Sequence, residues 1–288
     1  MLKLSWQHLP LYMEIMRANR PIGTFLVLWP AMWALMFAAE SWPAPKLVII
    51  FALGAFLMRS AGCVINDYAD RDWDHAVART KDRPITDGRL ESTEALQLFM
   101  LLCILAASLL LFLDRKTQLW SLGAISLAII YPFTKRITQL PQVFLGVAFA
   151  WSIPMAYVAE KGSVESTTWL LFTAVIAWVV MYDTFYAMVD KKDDLHVGIK
   201  STAILFGEYD RSITTLLQLL FLAIMAYAGT IKEYSVSFFI GLAMAAVLFG
   251  YQQWLIRKRH PDDCFRAFLN NNYVGIVVSL GICLSSVI

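Results

Sequence analysis

Leu47-Val-Ile-Ile-Phe-Ala-Leu-Gly-Ala-Phe-Leu-Met-Arg59-Ser-Ala-Gly-Cys-Val-Ile65 runs directly into Asn66-Asp67-Tyr68-Ala69-Asp70-Arg71-Asp72-Trp73-Asp74. The first part carries one charge, Arg59, and is long enough to cross about 30 Å of hydrocarbon as a helix. The second part concentrates carboxylates where that helix would leave the membrane. A buried helix of a soluble protein needs a polar outer face, and this one has none.

Eight further runs carry no charge at all: Pro21–Ala39, Ala95–Leu113, Thr117–Thr134, Ile137–Ala159, Ser166–Tyr182, Ser212–Ile231, Tyr234–Ile256 and Ala267–Ile288. With Leu47–Ile65 they predict an all-α membrane protein of nine transmembrane helices, a single domain over residues 1–288. Composition agrees: 59% of residues are hydrophobic and 16% charged, where a soluble domain carries roughly a quarter charged. The first run is too long for a signal-peptide core and contains Trp29, Pro30 and Trp33, so it reads as a retained span. Eighteen of the 24 Lys and Arg fall on the N-terminal tail and alternate loops, against Lys46, Arg115, Lys116, Lys161 and Lys232 on the other side. The positive-inside rule places the N-terminus in the cytoplasm and the C-terminus in the periplasm of a bacterial inner membrane. Lys191, Lys192, Arg257, Lys258 and Arg259 read as part of that orienting charge and nothing more. Cys63, Cys103, Cys264 and Cys283 lie one per segment, and the four histidines are equally dispersed, which argues against a disulfide framework or a zinc site.

Two loops on the predicted cytoplasmic side are long and alike. Asp70 and Asp74 precede Arg79-Thr-Lys81-Asp-Arg83-Pro; Asp190 and Asp194 precede Gly198-Ile-Lys200-Ser-Thr202. On a continuing helix Asp67, Asp70 and Asp74 would share an arc of roughly 60°, and Asp183, Asp190 and Asp194 one of about 40°. Carboxylates stacked in this way repel unless a cation neutralises them. Oxygen ligands of this kind suit Mg²⁺, which binds through one or two carboxylates plus phosphate oxygens and water. Asn66 adds a neutral ligand. Arg79, Lys81, Arg83, Lys135, Arg136 and Lys200 are the candidates to hold a diphosphate leaving group. Arg59, two turns inside the membrane, is costly there unless it meets an anion. A carboxylate-bearing substrate would pair with it bidentately, and an aspartate of the same protein is the alternative. Arg17, just before the first span, would reach the same pocket or anchor the interface.

These residues resemble those of the UbiA superfamily of intramembrane prenyltransferases. Asn66–Asp74 resembles its NDxxDxxxD motif, Asp190–Asp194 its second acidic motif, and Tyr131-Pro-Phe-Thr-Lys135-Arg136 the basic loop between them. Met16-Arg17, Arg20-Pro-Ile-Gly23, Met58-Arg59-Ser-Ala-Gly-Cys63, Leu140-Pro-Gln-Val143, Trp151-Ser-Ile-Pro154 and Asn270-Asn-Asn-Tyr273 extend the likeness to the branch that prenylates 4-hydroxybenzoate for ubiquinone. The resemblance implies Mg²⁺ dependence, with Asp67, Asp70, Asp74, Asp190 and Asp194 at the metal–diphosphate site and Arg59 at the benzoate carboxylate. Polyprenyl diphosphate and 4-hydroxybenzoate would meet at the lipid bilayer, and Asp70 or Asp183 would take the ring proton. Menaquinone-, haem- and chlorophyll-type acceptors occur in the same family. A transporter, from a different class, would place its acidic residues nearer the midplane.

Overall fold

The computed structural model describes residues 3–39, 41–72, 74–76 and 80–286, with the side chains of all of these but 76, 132, 133, 135, 136 and 197. Among the described residues every regular element is helical: α1 Leu9–Ile15, α2 Ile22–Ala38, α3 Pro45–Asp70, α4 Ser92–Leu110, α5 Arg115–Ile137, α6 Pro141–Ala150, α7 Ser152–Lys161, α8 Ser166–Val197, α9 Thr202–Phe206, α10 Asp210–Ile231, α11 Val236–Leu255 and α12 Pro261–Ser285, with a few short turns of tighter helix. All nine apolar runs of the sequence fall on these helices. Among the described residues seven helical stretches are long and apolar enough to cross a membrane, one of them α6 and α7 taken together, and α2 is a shorter apolar helix of 17 residues.

The helices pack in a continuous series. Helix α3 packs against α2 and α4, α5 against α6 and α7, α8 against α6, α10 and α12, and α12 against α11 and α2. Their outward faces are apolar, as at Leu216, Met244, Val247 and Leu280, the inverse of a soluble bundle and suited to a hydrocarbon solvent. The centre is aromatic. Trp33, Trp178 and Phe221 stack within 6.0 Å of one another between α2, α8 and α10.

Polar side chains staple this centre, since apolar packing alone gives helices in lipid little preference for one partner over another. Three consecutive asparagines on α12 point, 100° apart, at three neighbours. Asn270 accepts from Gln252 of α11 (2.9 Å), Asn271 from Trp178 of α8 (2.9 Å) and Asn272 from Trp29 of α2 (3.0 Å).

The structure differs from the sequence reading at the first acidic stripe. Helix α3 ends at Asp70, and Asp74 lies in a separate short turn, Asp74–Ala76. The three carboxylates therefore do not share one helical face. Stacking them would cost like-charge repulsion, and the break lets Arg83 reach Asp74 and Asp67 together. Helix α8 does run on through Asp190 and Asp194, as the second stripe requires. It stops at Gly198, whose φ of 78° only glycine adopts freely, with Ile199 N–H donating to Asp194 O.

Candidate active site

One cavity of about 2090 Å³ occupies the space enclosed by α2, α3, α4, α5, α6, α7 and α8. Its wall includes Asp67, Asp70 and Asp74 from the first acidic segment and Asp183, Asp190 and Asp194 from the second. The two segments, 120 residues apart in sequence, thus border the same space. Below them the wall turns apolar, through Ala107, Leu110, Ala124, Ala128 and Phe149. A cavity charged at one end and greasy along the rest suits an amphiphile.

The charged end is held by a small ionic network. Asp67, 2% exposed, accepts from Arg17 Nη2 through both oxygens (2.9 and 3.1 Å) and lies 3.0 Å from Arg83 Nη1. The same Arg83 nitrogen donates to Asp74 at 2.7 Å. Burial pushes the Asp74 carboxyl up, and the Arg83 guanidinium partly offsets it. Arg17 itself sits at φ 57°, a left-handed conformation rare for a residue with a side chain. Its Nη1 also donates to Glu14 O.

The N-terminal segment straps this loop down. Tyr12 O–H and His8 both contact the buried Glu94, and Arg89 pairs with Glu14 at 3.0 and 3.1 Å. The second acidic segment is tied elsewhere: Lys200 Nζ donates to Ile137 O (3.4 Å) at the end of α5, and Thr202 N–H donates to Gln142 of α6 (3.0 Å).

Arg59 sits deep in the wall. It is enclosed by protein yet opens on the cavity, within electrostatic range of Cys63, Tyr186, Tyr131 and Tyr182. In contrast to Arg17 and Arg83, it forms no ion pair with a carboxylate among the described residues. Its guanidinium lies against the backbone of α2 at Gly23, where a methyl group would stand 2.7 Å from both Nε and Nη2. Gly23→Ala should therefore push this guanidinium aside. We expect a rise of about tenfold in the KM for the aromatic acceptor with the KM for the diphosphate unchanged, as a misplaced charged hydrogen bond costs roughly 1.5–3 kcal/mol. Unchanged kinetics for both substrates would show that the contact is irrelevant.

Asn66 lines the same cavity. Arg79 lies outside the described residues, as do the side chains of Lys135 and Arg136, whose backbone forms the last turn of α5. Arg259 does more than orient the chain. It closes on Asp210, 0% exposed, with contacts of 2.7 to 3.1 Å, and anchors the turn between α11 and α12 to the start of α10. A count of loop charges cannot see such a partner. Spacing likewise gave no sign of Gly23 or of the double contact of Arg83, because both depend on which helices become neighbours.

Among the described residues no three acidic, His or Cys side chains converge closely enough to hold a metal unaided. That donor set fits Mg²⁺ arriving with a diphosphate, which needs only one or two carboxylates. It does not fit a closed structural ion.

Residues 27–274 match the UbiA prenyltransferase family. The chain is 51% identical over 280 residues to the 4-hydroxybenzoate octaprenyltransferase of Alkalilimnicola ehrlichii, covering 97% of this chain and 94% of that one. It is 53% identical to the enzyme of the same name from Tolumonas auensis, covering 98% and 97%. In fold it is similar to the apo structure of a UbiA homologue from Aeropyrum pernix (TM-score 0.80, 22% identity, 91% of this chain and 97% of that one). It is also similar to a UbiA homologue from Archaeoglobus fulgidus bound to GPP and Mg²⁺ (TM-score 0.68, 16% identity, 95% and 99%).

Proposed function

The chain belongs to the UbiA prenyltransferase family, and from that membership we propose that it transfers a polyprenyl group from polyprenyl diphosphate to 4-hydroxybenzoate, at the ring carbon ortho to the hydroxyl. This is an early membrane step of ubiquinone biosynthesis, and relatives about half identical over nearly the whole chain carry that activity in their names. The observation that carries the reading is Arg59. A guanidinium deep in a cavity rimmed by both acidic segments, with no carboxylate partner among the described residues, calls for an anionic ligand, and a benzoate supplies one.

The chemistry follows from where each substrate rests. The prenyl tail gains about 0.8 kcal/mol per buried CH₂ and stays in the apolar part of the cavity or the bilayer. Its diphosphate lies at the charged end, with Arg17, Asn66, Arg79, Arg83, Lys135, Arg136 and Lys200 as its binding residues. Mg²⁺ bound with the diphosphate would neutralise the charge that develops as the allylic C–O bond breaks. Asp67, Asp70, Asp74, Asp190 and Asp194 would hold that ion, Asp67 and Asp74 by yielding Arg17 and Arg83 to the diphosphate. Arg59 fixes the benzoate so that its ortho carbon attacks the allylic carbon. A C–C bond forms, diphosphate leaves, and Asp70 or Asp183 takes the ring proton. The surrounding helices exclude water, which would otherwise capture the allylic cation.

Nine spans, a cytoplasmic N-terminus, a periplasmic C-terminus and a site on the cytoplasmic face of the inner membrane complete the reading. It rests on the charge asymmetry of the loops. The test is competition: purified protein in lipid nanodiscs is given polyprenyl diphosphate, Mg²⁺ and equal amounts of 4-hydroxybenzoate and a menaquinone-type naphthoate. Prenylated 4-hydroxybenzoate should dominate, and preference for the naphthoate would overturn the acceptor assignment. Arg59→Ala should raise the acceptor KM by about 10²-fold, the worth of one charge-assisted pair. If only the diphosphate KM rose, the pairing would be wrong.

A further inference from the structure

The segment before α2 lies against the protein on one flank only. Tyr12 and Ile15 of α1 are buried, whereas Trp6 of the short turn before it is 89% exposed, Leu9 48% and Met13 42%. At about 100° per residue, Leu9 and Met13 fall roughly 60° and 100° from Tyr12 on one side, Ile15 roughly 60° on the other, and Glu14 nearly opposite. Helix α1 therefore has three flanks. The first packs on the protein through Tyr12 and Ile15, the second is apolar and uncovered, and the third carries Glu14, paired with Arg89. A helix that meets only protein and water needs no second flank of this kind.

Helix α4 fixes the depth of the segment. Lys3 N–H donates to Gln97 (2.7 Å), Tyr12 O–H donates to Glu94, and His8 Nδ1 lies 2.8 Å from the same carboxylate. Gln97 sits in the second turn of α4, about 8 Å along the axis from its start, and α4 is long and apolar enough to cross a membrane. One turn further on, Met100 and Leu101 are exposed and apolar. The segment thus lies level with the first turns of a span, where hydrocarbon gives way to headgroups.

We propose that α1 and the turn before it form an interfacial helix, with Trp6, Leu9 and Met13 seated in the headgroup–acyl boundary of the leaflet at the charged end of the cavity. An apolar flank beside a polar one holds a helix in the plane of that boundary. Trp suits the position because its ring is apolar and its N–H is not. The partner is lipid, since the flank carries no charge and the segment lies beside the apolar surface of Met100 and Leu101. The seat bears on the site because α1 leads directly into Arg17, which holds Asp67. The inference stands apart from the choice of acceptor.

The experiment uses full-length protein in phosphatidylcholine nanodiscs, with fluorotryptophan in place of tryptophan and Trp6→Phe to identify the Trp6 fluorine signal. A nitroxide at the headgroup end of the lipid chain should broaden that signal at least about threefold more than a water-soluble gadolinium chelate does, since an inserted flank sits about 5–10 Å into the boundary. In Leu9→Gln with Met13→Gln, which leaves the packed flank intact, the lipid broadening of Trp6 should fall at least about twofold, because insertion strength scales with buried apolar area. Broadening mainly by the chelate would overturn the proposal and show a flank open to water. Broadening by neither would overturn it in favour of a protein cover, such as a second copy of the chain. Unchanged lipid broadening in the double variant would show that Trp6 inserts without the helix, and the interfacial helix would fall.

Discussion

Asp70→Asn and Asp190→Asn should each abolish prenylation while the protein still inserts and accumulates in the membrane. The two residues come from different halves of the sequence, one at the last turn of α3 and one near the end of α8, yet both border one cavity. An amide matches a carboxylate in size, so packing is preserved and stability should change little. What disappears is negative charge, and with it the ability to hold a divalent ion against the diphosphate. Loss of one preorganised charge-stabilising group costs about 10² to 10³ in rate in other enzymes. In the proposed mechanism each residue would serve both ion binding and leaving-group departure, so the effect should reach at least that size. Raising Mg²⁺ should recover part of the activity, since a weakened site fills by mass action. The check is radiolabelled prenyl incorporation, normalised to membrane protein. Near-normal turnover in either variant at unchanged membrane level would remove these residues from the metal site.

Much of this architecture is legible in the chain because hydrocarbon imposes a simple rule. A segment that crosses it must be apolar and helical, so the runs in the sequence fall on helices of the structure. The acidic motifs are visible for a related reason, since charges that interrupt such a pattern stand out. The sequence is silent where helices meet. Helical geometry extended α3 through Asp74, whereas the chain breaks after Asp70 and bends back so that one Arg83 nitrogen can serve two carboxylates. Arg259 looked like one more orienting charge, and its partner Asp210 lies 49 residues earlier in a buried position. Gly23 could be quoted as part of a motif, but its purpose emerges only when α3 lays Arg59 across it. Contacts between distant segments depend on packing, and periodicity within one segment carries no record of them.

Arg83→Leu should cost activity and stability together, and the two losses should separate under a second substitution. Arg83 is the ion-pair partner of Asp74 among the described residues and one of two for Asp67. Removing it leaves two nearly buried carboxylates facing the site, with Arg17 the remaining ion-pair partner among the described residues. Stripping one partner from a buried ion pair costs roughly 3–5 kcal/mol, and the protein can lower that cost by taking up a proton. Burial already holds the folded pKa of Asp74 above its ordinary value, and without the guanidinium it moves further in that direction. A carboxyl whose folded pKa exceeds its unfolded one binds its proton more tightly when folded, so its contribution to stability is present at low pH and lost as pH rises through the folded pKa. The thermal midpoint of Arg83→Leu in detergent should therefore fall further below that of the parent at pH 8 than at pH 6. Adding Asp74→Asn removes the uncompensated charge and should restore most of the midpoint without restoring turnover, which we expect to stay at least about 10²-fold down, because the cation proposed to hold the diphosphate is still missing. Such non-additivity is the signature of a direct pair. Recovery of activity along with stability in the double variant would mean that Arg83 only holds the loop together, and a pH-independent midpoint would mean that Asp74 is already neutral in the parent.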